Sequence, residues 1–204
     1  MTIPIIIITV VLSAFSFQNQ TWFDKLKLNP YRFYNKKEWT RILSHGFIHA
    51  DWTHLLVNMF VLFSFGRSVE YYFSELKLAG YLSIPILHFL LLYFGGIIVS
   101  SIPSILKQKN HEWYNSVGAS GGVSSVIFAS IFFAPLHILY LYFIPIPGIV
   151  FGVLYLVYSQ YMSKRKHDNV NHEAHITGAI FGFLYPIIID PSLINSFLNQ
   201  LNIF

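Results

Sequence analysis

Two short segments carry residues suited to acyl-transfer chemistry: Gly118-Ala119-Ser120-Gly121-Gly122, and Ala174-His175-Ile176-Thr177-Gly178 with Gly182 four residues on. A serine hydroxyl becomes a nucleophile when a base takes its proton, and histidine is the commonest such base. The pentapeptide matches the G-x-S-x-G elbow of soluble hydrolases, but that elbow follows a core strand. Here His111-Glu112-Trp113-Tyr114-Asn115-Ser116 does not read as a core strand, and an apolar helix follows. Ser120 is therefore expected at a helix N-terminus, where unpaired backbone N–H groups and the positive end of the dipole stabilise an oxyanion. Gly118 and Gly121 would let a substrate backbone come close. The same small residues also suit a plain helix contact, so this motif alone leaves both readings open.

His175 lies three residues before Gly178, roughly on the face of the G-x-x-x-G pair Gly178 and Gly182, where a second helix can approach. A histidine hydrogen-bonded at a membrane surface would look the same. No acid stands well behind it. Asp190 is about 22 Å along a helix, and Asp168 and Glu173 fall in a charged connector. A serine–histidine dyad is the expectation. His54 and Asn58 are i and i+4 and share a helix face; both can donate to a developing oxyanion. His45 and His49 repeat that spacing. A polar seam between helices or a metal site would also use these side chains. Zinc is disfavoured because no carboxylate stands at helical spacing, and His172-Glu173-Ala174-His175 is not H-E-x-x-H. No cofactor and no metal are expected.

These residues need apolar elements to hold them. Of the 204 residues, 54% are hydrophobic, 18% aromatic and only 11% charged, against about 25% charged in a soluble domain. Lipid is the expected solvent. No cysteine is present, which excludes disulfides and thiolate metal sites. The net charge of +4 comes without a long basic tract, so nucleic acid is not an expected partner and anionic lipid headgroups are a better one. Charge-free runs cover Met1–Phe23, Trp52–Gly66, Leu78–Leu106, Trp113–Ser163 and Ala174–Ile189. A spanning helix needs roughly 20 apolar residues, so the fourth run reads as two helices broken at Pro135. Six spans are expected, at 2–17, 52–72, 77–102, 118–134, 137–161 and 174–190, in one domain covering 1–204. The first run lacks the basic start and small-x-small site of a cleaved signal peptide. The 18–51 connector carries Trp22, Trp39 and Trp52 at its end and is expected to lie in the membrane interface.

Taken together, the motifs resemble the rhomboid family of intramembrane serine proteases. The match is G-x-S-G at 118–121, A-H-x-x-G-x-x-x-G at 174–182 and H-x-x-x-H-x-x-x-x-H-x-x-x-N at 45–58, in the family's order, with Glu38, Arg41, Gly66 and Glu70 also fitting. The resemblance implies an all-α membrane protein with a six-transmembrane-helix bundle. It implies a dyad of Ser120 and His175 and an oxyanion hole from His54, Asn58 and the Ser120 amide. Gly118, Gly121, Gly178, Gly182, Arg41 and Glu70 would be structural residues near the site. Span five would gate substrate entry, with Ile144-Pro145-Ile146-Pro147-Gly148 bending or loosening it. Two positions depart from the pattern: Trp39 stands one place early before Arg41, and Ser124 stands where the family carries a ring stacked on the histidine.

The resemblance implies cleavage of single-span membrane proteins, and a multi-pass location in a bacterial plasma or inner membrane is expected. The family's topology starts in the cytoplasm and opens the site to the outside. Eleven of the thirteen Lys and Arg lie in connectors 18–51, 103–117 and 162–173, which by the positive-inside rule predicts the reverse. The expectation follows the family. A non-catalytic relative that binds membrane helices would lack the serine or the histidine, and a transporter would show paired repeats; neither pattern is present.

Overall fold

The computed structural model describes residues 1–141, 143–165 and 170–202. Its helices are α1 (Thr2–Gln18), α2 (Gln20–Leu26), α3 (Pro30–Asn35), α4 (Arg41–Ser44), α5 (Trp52–Leu78), α6 (Pro85–Gln108), α7 (Ser120–Phe133), α8 (Gly148–Arg165), α9 (His172–Ile189) and α10 (Leu193–Gln200). A hairpin of β1 (Ile138–Leu141) and β2 (Ile144–Pro147) interrupts them.

α7 is the centre. Its sequence is apolar or small on every face, as a helix surrounded by others must be, and Gly121 through Phe132 are buried without a break. α6 and α9 lie against it through small residues. A side chain on Gly122 would meet the Tyr93 carbonyl oxygen at 2.7 Å, and one on Gly178 or Gly182 would overlap the α7 backbone. In lipid there is little hydrophobic drive between helices, so close backbone packing of this kind supplies the attraction.

The outside of the bundle is apolar. On α1 the buried residues include Thr2, Thr9, Ser13 and Ser16, while Ile3, Ile7, Val11 and Phe15 are exposed. That pattern is the reverse of a water-facing helix and suits a hydrocarbon surround. Among the described residues α6 is the one helix both long and apolar enough to cross a membrane alone. α9 and α10 pass together but bend by 119°, and α1 and α7 are apolar but shorter.

The element limits correct three expectations. α5 runs to Leu78, past residue 72, because its charged residues do not stop it; Gly80 does, at φ +83. There Tyr81 N–H bonds the Leu76 carbonyl and Gly80 N–H the Lys77 carbonyl, a Schellman stop. α6 accordingly starts at Pro85, where a missing N–H costs nothing, and not at 77. The expected fifth helix at 137–161 is a hairpin followed by α8 at Gly148–Arg165. Pro145 and Pro147 therefore lie in β2 and do not bend a helix. Spaced by two on an edge strand, both prolines can turn their ring nitrogens away from the partner strand.

The 18–51 connector folds into α2, α3, α4 and a 3₁₀ turn at His45–Phe47, with Trp22, Trp39 and Trp52 exposed. Buried Arg41 ties it together, donating to the carbonyls of Asp24 and Lys27 at 2.8 and 2.7 Å and to the Glu38 carboxylate. Partial burial works to raise the Glu38 pKa, but hydrogen bonds from Arg32 and Arg41 outweigh it and hold the carboxylate below its usual range. The Asn29 amide donates to the carbonyls of Glu112 and Tyr114, and Leu28 bridges Ser116. The connector is thereby fixed to the loop that leads into α7.

Candidate functional site

Ser120 is the first residue of α7, with Ala119 as its cap. It is half-buried, whereas the twelve residues after it are buried. The loop that delivers it is held by backbone and imidazole groups of the connector. Gly118 N–H donates to the His45 carbonyl at 3.0 Å, and Ala119 N–H donates to His49 Nε2 at 3.3 Å. Gly118 has φ +115, and a side chain there would come within 2.6 Å of the His54 ring. Glycine is needed twice over at this position, for its backbone and for the space the imidazole takes.

His45 and His49 are buried, and burial sets their charge. It pushes the His45 pKa down to about 4 and, with a smaller contribution from His54, the His49 pKa down to about 3. Both rings are neutral at pH 7. His49 accepts at Nε2, so its proton sits on Nδ1, 3.1 Å from Ser13 Oγ, which in turn donates to the Phe47 carbonyl. The His45 backbone and the His49 ring thus brace the loop that leads to Ser120. Among the described residues no three His, Asp or Glu side chains converge in a way that would hold a metal.

His54 is half-buried in the first turn of α5, edge-on to His49 at 4.9 Å between ring centroids, and its ring lies against Gly118. Asn58 is one turn further on and buried; its amide nitrogen donates to the His54 carbonyl at 2.8 Å. That uses one of its two N–H bonds. Glu70 is elsewhere. It lies twelve residues beyond Asn58, about 18 Å along the helix, where it accepts from Thr2 N–H at 2.9 Å beside the Gly66–Thr2 contact. It joins α1 to α5 at the end of α5 remote from Ser120, which corrects the expectation that it lies near the site.

His175 sits in the first turn of α9. The start of this helix is fixed by Asn171, whose side chain accepts from Ala174 N–H and donates to Ser104 Oγ at 2.8 Å. α7 and α9 run parallel: Gly178 faces Gly121, and one turn on Gly182 faces Ser125. This register sets the first turn of one helix beside the first turn of the other, with Ser120 just before the contact on α7 and His175 one turn before it on α9. Of the acids considered from sequence, Glu173 pairs with Lys107 at 2.5 Å, Asp190 caps Ser192, and Asp168 lies outside the described residues.

Sequence reasoning missed one residue here. The Tyr155 ring of α8 stacks on His175, with centroids 6.1 Å apart and planes 24° from parallel. Its hydroxyl lies 2.7 Å from Ser124 Oγ, one turn below Ser120 on α7. The only sequence signal was negative: Ser124 lacks a ring, which left the orientation of His175 to packing or to another ring.

The arrangement offers a hydroxyl at a helix N-terminus, an imidazole one helix away, and the His54 ring against the same loop with Asn58 one turn further along α5. The model of the Rhomboid domain matches residues 36–191. The chain is 26% identical over 145 residues to RHOMBOID-like protein 12, mitochondrial, of Arabidopsis thaliana, covering 68% of this chain and 43% of that protein. It is 27% identical over 165 residues to Rhomboid-like protein 11, chloroplastic, of the same plant, covering 74% and 53%. With the Bacillus subtilis (strain 168) protein named "Putative rhomboid protease YdcA" it shares 26% over 153 residues, covering 72% and 65%. The chain therefore spans less than two thirds of the length of each of these relatives. A family match extending from the connector through α9 takes in every residue grouped around Ser120, and the chain belongs to the rhomboid family of membrane proteins.

Proposed function

We propose that the chain is an intramembrane serine endopeptidase that cleaves transmembrane segments of single-span membrane proteins. The observation that carries this reading is the parallel, glycine-lined contact of α7 and α9, which sets the Ser120 turn beside the His175 turn. In the mechanism, Ser120 Oγ attacks the scissile carbonyl carbon while His175 takes its proton. The carbonyl oxygen becomes an oxyanion that receives hydrogen bonds from the Ser120 backbone N–H, His54 and the remaining Asn58 N–H. His175 then gives the proton to the leaving amine as the C–N bond breaks. Water, deprotonated by the same imidazole, hydrolyses the acyl-enzyme. Six spans, α1, α5, α6, α7, α8 and α9, form one rhomboid-type domain. At fourteen residues, α7 rises about 21 Å, short of a hydrocarbon core of about 30 Å. With its C-terminal end at one surface, its N-terminal serine lies below the other, which suits chemistry on a membrane-embedded peptide bond.

The test is a fluorophosphonate probe together with a model transmembrane substrate in detergent. Labelling at Ser120 and cleavage of the substrate are expected, and EDTA is expected to leave both unchanged. A metal-bound His175 would have no free lone pair to act as base. Activity lost in EDTA and restored by zinc would overturn the serine reading. A protein that takes no label and only binds the substrate helix would be the non-catalytic alternative.

His54→Ala and Asn58→Ala test the oxyanion donors. Each is expected to lower kcat by about 10²-fold or more, the usual effect of removing one such donor. KM should change little, because the bond forms only as charge develops. An effect confined to KM would move these residues to a substrate-packing role.

A further inference from the structure

We infer that Tyr155 is the positioning residue of His175, taking from α8 the place of the ring that α7 lacks at position 124. The inference rests on the protease reading above and deepens it. A general base works only when its lone pair points at the proton it takes, and an error of about 1 Å in placement costs about 10²-fold. His175 sits in the first turn of α9, with the His172 ring edge-on to it at 5.8 Å. The Tyr155 ring lies nearly parallel to it at 6.1 Å, within the range of offset aromatic stacking.

Tyr155 is itself held at two points. Its hydroxyl bonds Ser124 Oγ at 2.7 Å, and Phe128, one turn below Ser124, packs against the ring at 5.6 Å. The serine at position 124 thus has a use: a ring there would compete with Tyr155 for the face of His175, whereas a hydroxyl anchors it. Three helices meet in this chain of contacts, from Ser124 on α7 through Tyr155 on α8 to His175 on α9. Gly148, Gly152 and Ser159 are the buried residues of α8, and Ile149, Phe151 and Leu156 pack partly buried against the core, while Val150, Val153, Leu154 and Val157 are exposed. The stack ties this helix to the base.

Two readouts test this on the full chain in detergent. The first is NMR of protein labelled at histidine Cε1, with the His175 line identified by its loss in His175→Ala. A stacked ring shifts that proton upfield. Tyr155→Leu is expected to move it downfield, and Tyr155→Phe to leave it near the wild-type position. The second is cleavage. Tyr155→Leu is expected to lower kcat by about 10- to 100-fold with little change in KM. Tyr155→Phe is expected to stay within about threefold of wild type. Adding Ser124→Tyr to Tyr155→Leu returns a ring to the histidine from α7 and is expected to recover most of the rate. An unmoved His175 line in Tyr155→Leu, or an unchanged kcat, overturns the inference. So does an equal loss in the Phe and Leu variants, which would assign the effect to the hydroxyl and not the ring. A wild-type protein that cleaves nothing and takes no fluorophosphonate defeats the protease reading instead, and the NMR line still decides the stack.

Discussion

Ser120→Ala is expected to bring cleavage of a transmembrane substrate down by at least about 10³-fold, and His175→Ala to do the same. The size follows from the division of labour. Without the hydroxyl no acyl-enzyme forms. Without the imidazole the hydroxyl keeps its proton and the leaving amine receives none. Because both act in one step, the double variant should be no slower than either single one, a non-additivity that independent contributions would not give. Both side chains are half-buried beside the α7–α9 contact and neither fills the core, so the variants should keep the wild-type unfolding temperature. Cleavage rates beside thermal unfolding in the same detergent make the measurement. Near wild-type cleavage by either alanine variant would remove that residue from the mechanism.

The approach of the two turns was legible in the sequence for a physical reason. Small residues at fixed helical spacing around Ser120 and His175 predict close backbone approach, and few other uses put a serine and a histidine at the starts of two such segments. The G-x-x-x-G spacing predicted the contact face of α9, but not that Gly178 would meet Gly121 and Gly182 Ser125. The brace of the loop was not legible either. That His49 would accept from Ala119 N–H depends on the 3₁₀ turn at His45–Phe47 bringing the connector back under α7, and no local pattern announces that return. Tyr155 was invisible because stacking depends on the distance between α8 and α9, and one tyrosine in an apolar helix has many possible uses.

Hydropathy also misled where backbone chemistry decided. The charge-free run Trp113–Ser163 reads as two helices, yet Pro145 and Pro147 remove two donors that a helix there would need. The hairpin of β1 and β2 results, and α8 begins only at Gly148, whose N–H bonds the His137 carbonyl at 2.9 Å. α10 lies beyond the last span read from the sequence and was missed as well. Its sequence is short and mixed, but Phe197 stacks on Phe132 at 5.2 Å and folds the chain back across the end of α7. Charge runs locate apolar segments well; they do not say which stretch of each is helical.

The second large effect is expected from the glycines between α7 and α9. An added methyl group on Gly182 would overlap the Ser125 backbone, and one on Gly178 the Gly121 carbonyl oxygen. Backbone cannot swing aside as the end of a side chain can, so the helices must separate by about 1 Å or more to reach an ordinary contact distance. That separation acts on the turn carrying Ser120 and the turn carrying His175. Gly178→Ala and Gly182→Ala are therefore each expected to lower kcat by about 10²-fold or more, and to cost about 1–3 kcal/mol of stability, as overpacking does. Gly152→Ala is the control. Its methyl would meet Ile131 Cδ1 at 3.3 Å and the Phe128 ring at 3.4 Å, side-chain atoms that can give by a few tenths of an ångström, so a small change in rate and unfolding temperature is expected. If Gly182→Ala cleaved at the wild-type rate and unfolded at the wild-type temperature, the close approach of α7 and α9 would not be what holds the serine to the histidine.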